Sequence, residues 1–152
     1  MDTNEMLRIV DLIADLKPYF RGIYASNSLP FRVTRYPSAF VSNTDPLEKK
    51  GSHWVAFWFK NGTECEYYDS FGRIPEDYDI RLREFLDRNS FVCMYNNVQV
   101  QQDFTSSCGF HVLFYLCRRA QGFSMQNSLE MLNRVESDDF VRHYVLNKIN
   151  SV

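Results

Sequence analysis

Residues 108–121 carry Phe110, Val112, Leu113, Phe114, Leu116, Cys117 and Ala120 on every side of a helix. A helix without a polar face has to be enclosed by other elements, so the chain must build layers around it. Gly122 marks its end. The chain has 152 residues, of which 45% are hydrophobic. That length suits one domain over residues 1–152, able to bury a core without a metal or disulfide staple.

The first enclosing layer is a sheet. Residues 53–59, His-Trp-Val-Ala-Phe-Trp-Phe, are apolar on both faces, as in a central strand. Asn61-Gly62 signals a hairpin, with residues 64–69 returning. A two-residue Asn-Gly loop would set His53 against Ser70 and point Asp69 to the other face. A three-residue loop of Lys60, Asn61 and left-handed Gly62 would set His53 directly opposite Asp69, and this second register is the expectation. Ser70-Phe71-Gly72 ends the strand.

Elsewhere the signals are shorter. Asp2 with Glu5 resembles a capping box, and Met6, Ile9, Val10, Ile13 and Leu16 keep helical spacing until Pro18. Residues 22–46 read as mostly irregular, with one short strand at 39–42, and a loop of that length suits the wall of a groove. Ile80, Arg83, Glu84 and Asp87 outline a charged helix that buries Leu82, Phe85 and Leu86. Val92, Met94, Val98 and Val100 suggest another strand or two, residues 101–107 a polar turn. Ser137 or Asp138 caps a last helix toward Ile149.

Composition narrows the function. Aromatics reach 16%, which excludes a disordered or coiled-coil chain. A net charge of −2 predicts neither a nucleic-acid groove nor an anionic membrane surface. No apolar run approaches the ~20 residues of a membrane span. The N-terminus lacks a signal-peptide pattern, so an intracellular or virion-enclosed, reducing setting is expected. Cys65, Cys93, Cys108 and Cys117 include no C-x-x-C pair, so no zinc site is expected.

Cys108 stands out because it joins the polar turn to the buried helix. A thiol there feels the positive end of the helix dipole, which favours the nucleophilic thiolate. Ser106-Ser107 can cap the helix, and Gly109 can let a substrate backbone approach. A carboxylate at Asp69 facing His53 would fix its tautomer and stabilise the imidazolium. Gln101 or Gln102, seven and six residues before Cys108, could aim an amide donor at a developing oxyanion. His111, one turn after Cys108, reads as a packed core residue, and His143 as surface. Glu48-Lys49-Lys50 reads as a solvated loop.

Gly51-Ser52-His53-Trp54-Val55-Ala56-Phe57, Tyr68-Asp69-Ser70-Phe71-Gly72 and Val100-Gln101-Gln102 with Ser107-Cys108-Gly109-Phe110 resemble the adenovirus-type cysteine proteases (adenain). The chain is more distantly similar to the SUMO-deconjugating cysteine proteases. The Tyr95–Gln101 stretch is also similar to proteases of Polinton-type DNA transposons and their viral relatives. Arg35-Tyr36-Pro37-Ser38-Ala39-Phe40-Val41-Ser42 extends the likeness, while Met131-Leu132-Asn133 onward is similar only loosely.

The resemblance implies an α+β, papain-like/adenain-like fold with a central mixed sheet packed on the helix that begins at Cys108. It implies a cysteine endopeptidase in which Cys108 is the nucleophile, His53 the general base and acid, and Asp69 the orienting carboxylate. Gln101 would form the oxyanion hole with the Cys108 N–H; the SUMO-protease spacing nominates Gln102 instead. Trp54 would wall the substrate site beside Gly109. Substrates would be viral or transposon structural precursors with small residues or glycine before the cut, in the virion or host nucleus. The enzyme would act as a monomer without metal, organic cofactor or membrane. The family also implies an activating peptide, for whose disulfide Cys93 is the nearest but poorly spaced cysteine, and DNA, which the net charge does not favour; Arg118-Arg119 is the one local basic pair considered. Rival readings are a deconjugase of ubiquitin-like tails, an acyltransferase with the same residue order, and an inactive binding module.

Overall fold

The computed structural model describes residues 1–103, 105–132 and 136–151. Its sheet has five strands in the order β1 (Phe20–Tyr24), β2 (Ser38–Asn43), β3 (Trp54–Phe59), β4 (Glu64–Tyr68) and β5 (Val92–Tyr95). The β1–β2 and β4–β5 pairs are parallel, and the two central pairs antiparallel. The fold is therefore α+β with a mixed sheet, as the sequence implied.

Alternation along the strands serves two cores. Ala39, Val41, Trp54, Ala56, Trp58 and Tyr68 pack with the helix α3 (Cys108–Ala120) and with Met6 and Val10 of α1 (Thr3–Asp11). Phe40, Val55, Phe57, Phe59, Cys65 and Tyr67 face Leu82, Phe85 and Leu86 of α2 (Ile80–Asn89). Both sheet faces are covered, which is why β2 and β3 are buried at every position. The helices α4 (Met125–Leu132) and α5 (Ser137–Asn150) complete the shell around α3. The nearly all-apolar helix is indeed enclosed.

The structure corrects several expectations. The capping box is present, with Glu5 N–H donating to Asp2 Oδ1 and Asp2 N–H to Glu5 Oε2, both at 2.8 Å. The helix nevertheless ends at Asp11, not Pro18. Tight turns from Ile13 N–H to Val10 O and Leu16 N–H to Ile13 O keep Ile13 and Leu16 buried. The same three-residue rhythm thus arises from turns. Strand β1 falls where irregular chain was expected. Gly22 sits there at φ 141° where the register shifts, so the usual alternation is lost. Of residues 92–100, only Val92–Tyr95 is a strand, and α4 carried no signal read from the sequence.

The hairpin register is neither of the two considered. Phe59 pairs with Cys65 and Ala56 with Tyr68. Asn61 builds the turn with its own side chain, accepting from Thr63 N–H and Glu64 N–H at 2.9 Å, and left-handed Gly62 is not used. Extended beyond the ladder, this register sets His53 toward Phe71, two residues past Asp69. A slide of two keeps the side chains on one face, so His53 and Asp69 are diagonal neighbours instead of direct partners.

The cap expectations fail at both later helices. Ser107 occupies the N-cap of α3 without a side-chain capping bond, and Glu136, not Ser137 or Asp138, occupies that of α5. Within the expected polar turn, Phe104 lies outside the described residues, as does Asn133 of the tail segment.

Candidate active site

The sheet's end brings the candidates together. His53 directly precedes β3 and Asp69 directly follows β4, while Cys108 opens α3 from the opposite face. His53 Nε2 lies 2.6 Å from Asp69 Oδ1. The imidazole also lies close enough to the Cys108 thiol for each group to shift the titration of the other. Cys108 retains 9% exposure and His53 7%, and both line one open cavity of about 820 Å³. That volume is in the range of substrate clefts.

Asp69 is fully buried, and its carboxylate is well supplied with donors. Phe71 N–H reaches Oδ1 at 3.1 Å; Arg73 N–H and the Tyr78 hydroxyl reach Oδ2 at 3.0 and 2.6 Å. Asn96 clamps its backbone, accepting from Asp69 N–H at 2.9 Å and donating to Asp69 O. Gly72 closes the turn with φ 71°, and a Cβ there would lie 2.7 Å from the Val98 carbonyl carbon. Only glycine fits. Phe71 stacks on the His53 ring at 4.8 Å and Tyr78 lies at 5.4 Å, fixing its plane. The sequence reading missed Tyr78 and Asn96, since a lone Tyr and an Asn pair after a strand carry no signature.

These contacts set the charges. Burial works against the imidazolium, but the bonds and charges of Asp69 and Cys108 overcome it, and His53 is pushed up to about 9. Burial also works against the thiolate. The His53 bond and charge, with the Trp54 and Gly109 N–H groups, outweigh that and hold the Cys108 pKa below its ordinary value. The side-chain cap absent at Ser107 leaves helix-terminal N–H groups free for sulfur. Both shifts favour the thiolate–imidazolium form of the pair.

A pH profile tests this assignment. Thiolate forms as pH rises through the lowered thiol value, and imidazolium is lost only as pH passes about 9. The iodoacetamide alkylation rate of Cys108 should therefore climb below the free-cysteine range, while turnover should form a bell that falls near 9. An alkylation midpoint at the free-thiol value, about 8.5, would sink the pairing.

Gln101 lines the cavity with Cys108 and is buried, whereas Gln102 is exposed and does not. Gln101 accepts from Ser70 Oγ at 2.6 Å and donates to Thr105 O and Oγ1 at 3.0 and 3.1 Å. Trp54 also lines the cavity, its Nε1 donating to Met1 O at 3.1 Å. Gly109 differs from expectation: Met1 covers it, with a Cβ there only 3.0 Å from Met1 Sδ, and it is absent from the cavity wall. Its contribution is its N–H toward sulfur.

Part of the stretch at 22–46 does line the cleft, through Tyr24, Ser28 and Asn43, and so do Lys49 and Lys50. His111 is fully buried and bonded to Asp138, which removes it as a rival base; His143 is exposed. Cys93 sits opposite Cys65 across β4 and β5, and Arg119 is committed to Glu66 at 2.7 Å. Among the described residues, no cluster of His, Cys, Asp or Glu could hold a metal ion, and no helix is long and apolar enough to cross a membrane.

No protein-family profile matches the chain. It is 24% identical over 124 residues to the protease of bovine adenovirus 2, covering 74% of this chain and 60% of that one. To the protease of human adenovirus A serotype 12 it is 28% identical over 112 residues, covering 65% and 54%. The chain thus spans between 54% and 60% of the length of these relatives. Among solved structures, the ASFV protease superposes with a TM-score of 0.49 at 20% identity, covering 84% and 60%. The central domain of an uncharacterized Legionella pneumophila protein gives 0.55 at 11% identity, covering 99% and 97%, a likeness of fold.

A thiol, an imidazole and a carboxylate thus meet at one end of the sheet, an arrangement able to activate sulfur as a nucleophile. The chain is similar to these adenovirus proteases over part of their length.

Proposed function

We propose that this protein is a cysteine endopeptidase that matures viral or transposon structural precursors. The reading is carried by one observation: the His53 imidazole, bonded to buried Asp69, lines one open cavity with the Cys108 thiol. The Cys108 thiolate attacks the scissile carbonyl, and the oxyanion is received by the Gln101 amide and the Cys108 N–H. His53 gives its proton to the leaving amine as the thioester forms. It then takes a proton from water, whose oxygen attacks the thioester; release of the acid restores thiolate and imidazolium. The amide hydrogens of Gln101 now held by Thr105 would turn to the oxyanion. Trp54 forms the wall, and a small residue or glycine is the expected side chain before the cut.

A peptide vinyl sulfone is the direct test. Rapid modification located at Cys108 by mass spectrometry, with cleavage of a precursor peptide in preference to a Gly-Gly-linked ubiquitin-like probe, is the expected result. Preference for the ubiquitin-like probe would make the protein a deconjugase. Labelling no faster than a free thiol would leave only a binding module.

A further inference from the structure

Three successive residues at the start of α5 hold the segment that carries Gln101. Glu136 Oε1 accepts from Gln102 Nε2 at 3.3 Å, the Ser137 hydroxyl donates to Val100 O, and Asp138 Oδ1 accepts from Gln102 N–H at 3.4 Å. Asp138 is itself tied to the nucleophile's helix. His111, one turn after Cys108, places Nε2 at 2.8 Å from Asp138 Oδ1, with Nδ1 3.4 Å from the Tyr68 hydroxyl. Tyr68 directly precedes Asp69 and stacks on Tyr115 with centroids 4.5 Å apart. The line from Tyr68 through His111 to Asp138 therefore joins the carboxylate strand, the nucleophile helix and the glutamine segment.

We propose that Asp138, anchored by His111, is a positioning residue that sets the oxyanion-binding segment at 100–102 against Cys108. This inference rests on the protease reading above. Burial disfavours the charged form of His111 and pushes its pKa down, so the ring is neutral. Tyr68 then donates to Nδ1, and Nε2–H donates to Asp138, a single tautomer that gives the brace one geometry. On the sheet side the segment is held by Val100 and Gln101 N–H donating to Ser70 O at 2.8 and 3.0 Å, whereas on the α5 side an open cavity of about 250 Å³ is lined by Gln102, Thr105, Ser106, Asp138 and Arg142 among others. On that side, hydrogen bonds to α5 set the segment's place against the nucleophile's helix.

The test separates two reactions of one thiolate. Alkylation by iodoacetamide builds no oxyanion, whereas acylation by a peptide ester does. Asp138→Ala should lower kcat for the ester by about 10- to 100-fold, since a misplacement near 1 Å can cost that much. KM and the Cys108 alkylation rate should stay within about twofold of the parent. Asp138→Asn, which keeps an acceptor for His111 and Gln102, should restore most of kcat. If Asp138→Ala does not fold, His111→Phe fills the ring's space without donating to Asp138 and should show the same split.

Unchanged kcat in the folded variant, or equal loss of alkylation and acylation, would overturn the positioning role. A parent whose Cys108 alkylates and acylates no faster than a free thiol would overturn the protease reading, and this inference with it.

Discussion

Replacing Cys108 by alanine should abolish turnover while leaving the fold almost as stable as the parent. The two effects separate because they have different physical origins. Turnover requires a sulfur anion at the mouth of α3, and an alanine methyl can neither attack nor hold an acyl group. Stability depends mainly on the enclosed remainder of α3, where Val112, Leu113, Phe114 and Leu116 are fully buried. Cys108 sits at the rim of that core, so losing its sulfur should cost no more than about 1–2 kcal/mol. Urea unfolding beside a peptide-cleavage assay reads both numbers. A variant that still cleaves would remove Cys108 from the mechanism, whatever its stability.

Asp69→Ala should damage both properties. Four donors now converge on a carboxylate without solvent exposure: His53 Nε2–H, the Phe71 and Arg73 N–H groups and the Tyr78 hydroxyl. Alanine would leave them unpaired in a low-dielectric pocket, with an expected cost of about 3–5 kcal/mol. His53 would lose its orienting partner and the first of the influences that raise its pKa, so the imidazolium that supports the thiolate would be lost near neutral pH. A fall of about 10³- to 10⁴-fold in kcat/KM is the scale expected when a triad carboxylate is removed. Kinetics in the folded fraction, with unfolding followed by tyrosine and tryptophan fluorescence, would measure both. A variant of near-parent activity would reduce Asp69 to a structural acid.

Much of this arrangement was legible from the chain alone, for identifiable reasons. The α3 helix and β3 announce themselves because side chains buried on all sides must be apolar on all sides. His53, Asp69 and Cys108 could be singled out because each begins or ends such a stretch, and the family resemblance assigned them their expected roles. Features that depend on side chains closing their own local geometry were not legible. Asn61 chose the turn, and with it a register that no count of loop residues would give. Ser107, Ser137 and Asp138 look like helix caps in sequence, yet none caps with its side chain. Ser137 and Asp138 instead reach across to residues far away in the chain, which local rules do not address. The Asp69 cradle shares this character: Tyr78 and Asn96 matter through where the chain returns, not through their spacing.

The diagonal relation between His53 and Asp69 has a consequence for how this site tolerates change. Pleated strands impose parity. If β4 slid along β3 by one residue, the carboxylate would swing toward the α3 side of the sheet and part from the imidazole; a slide of two could be absorbed by side-chain reach. Relatives that share the chemistry are thus free to differ at this hairpin in even steps, while odd ones demand a compensating bulge.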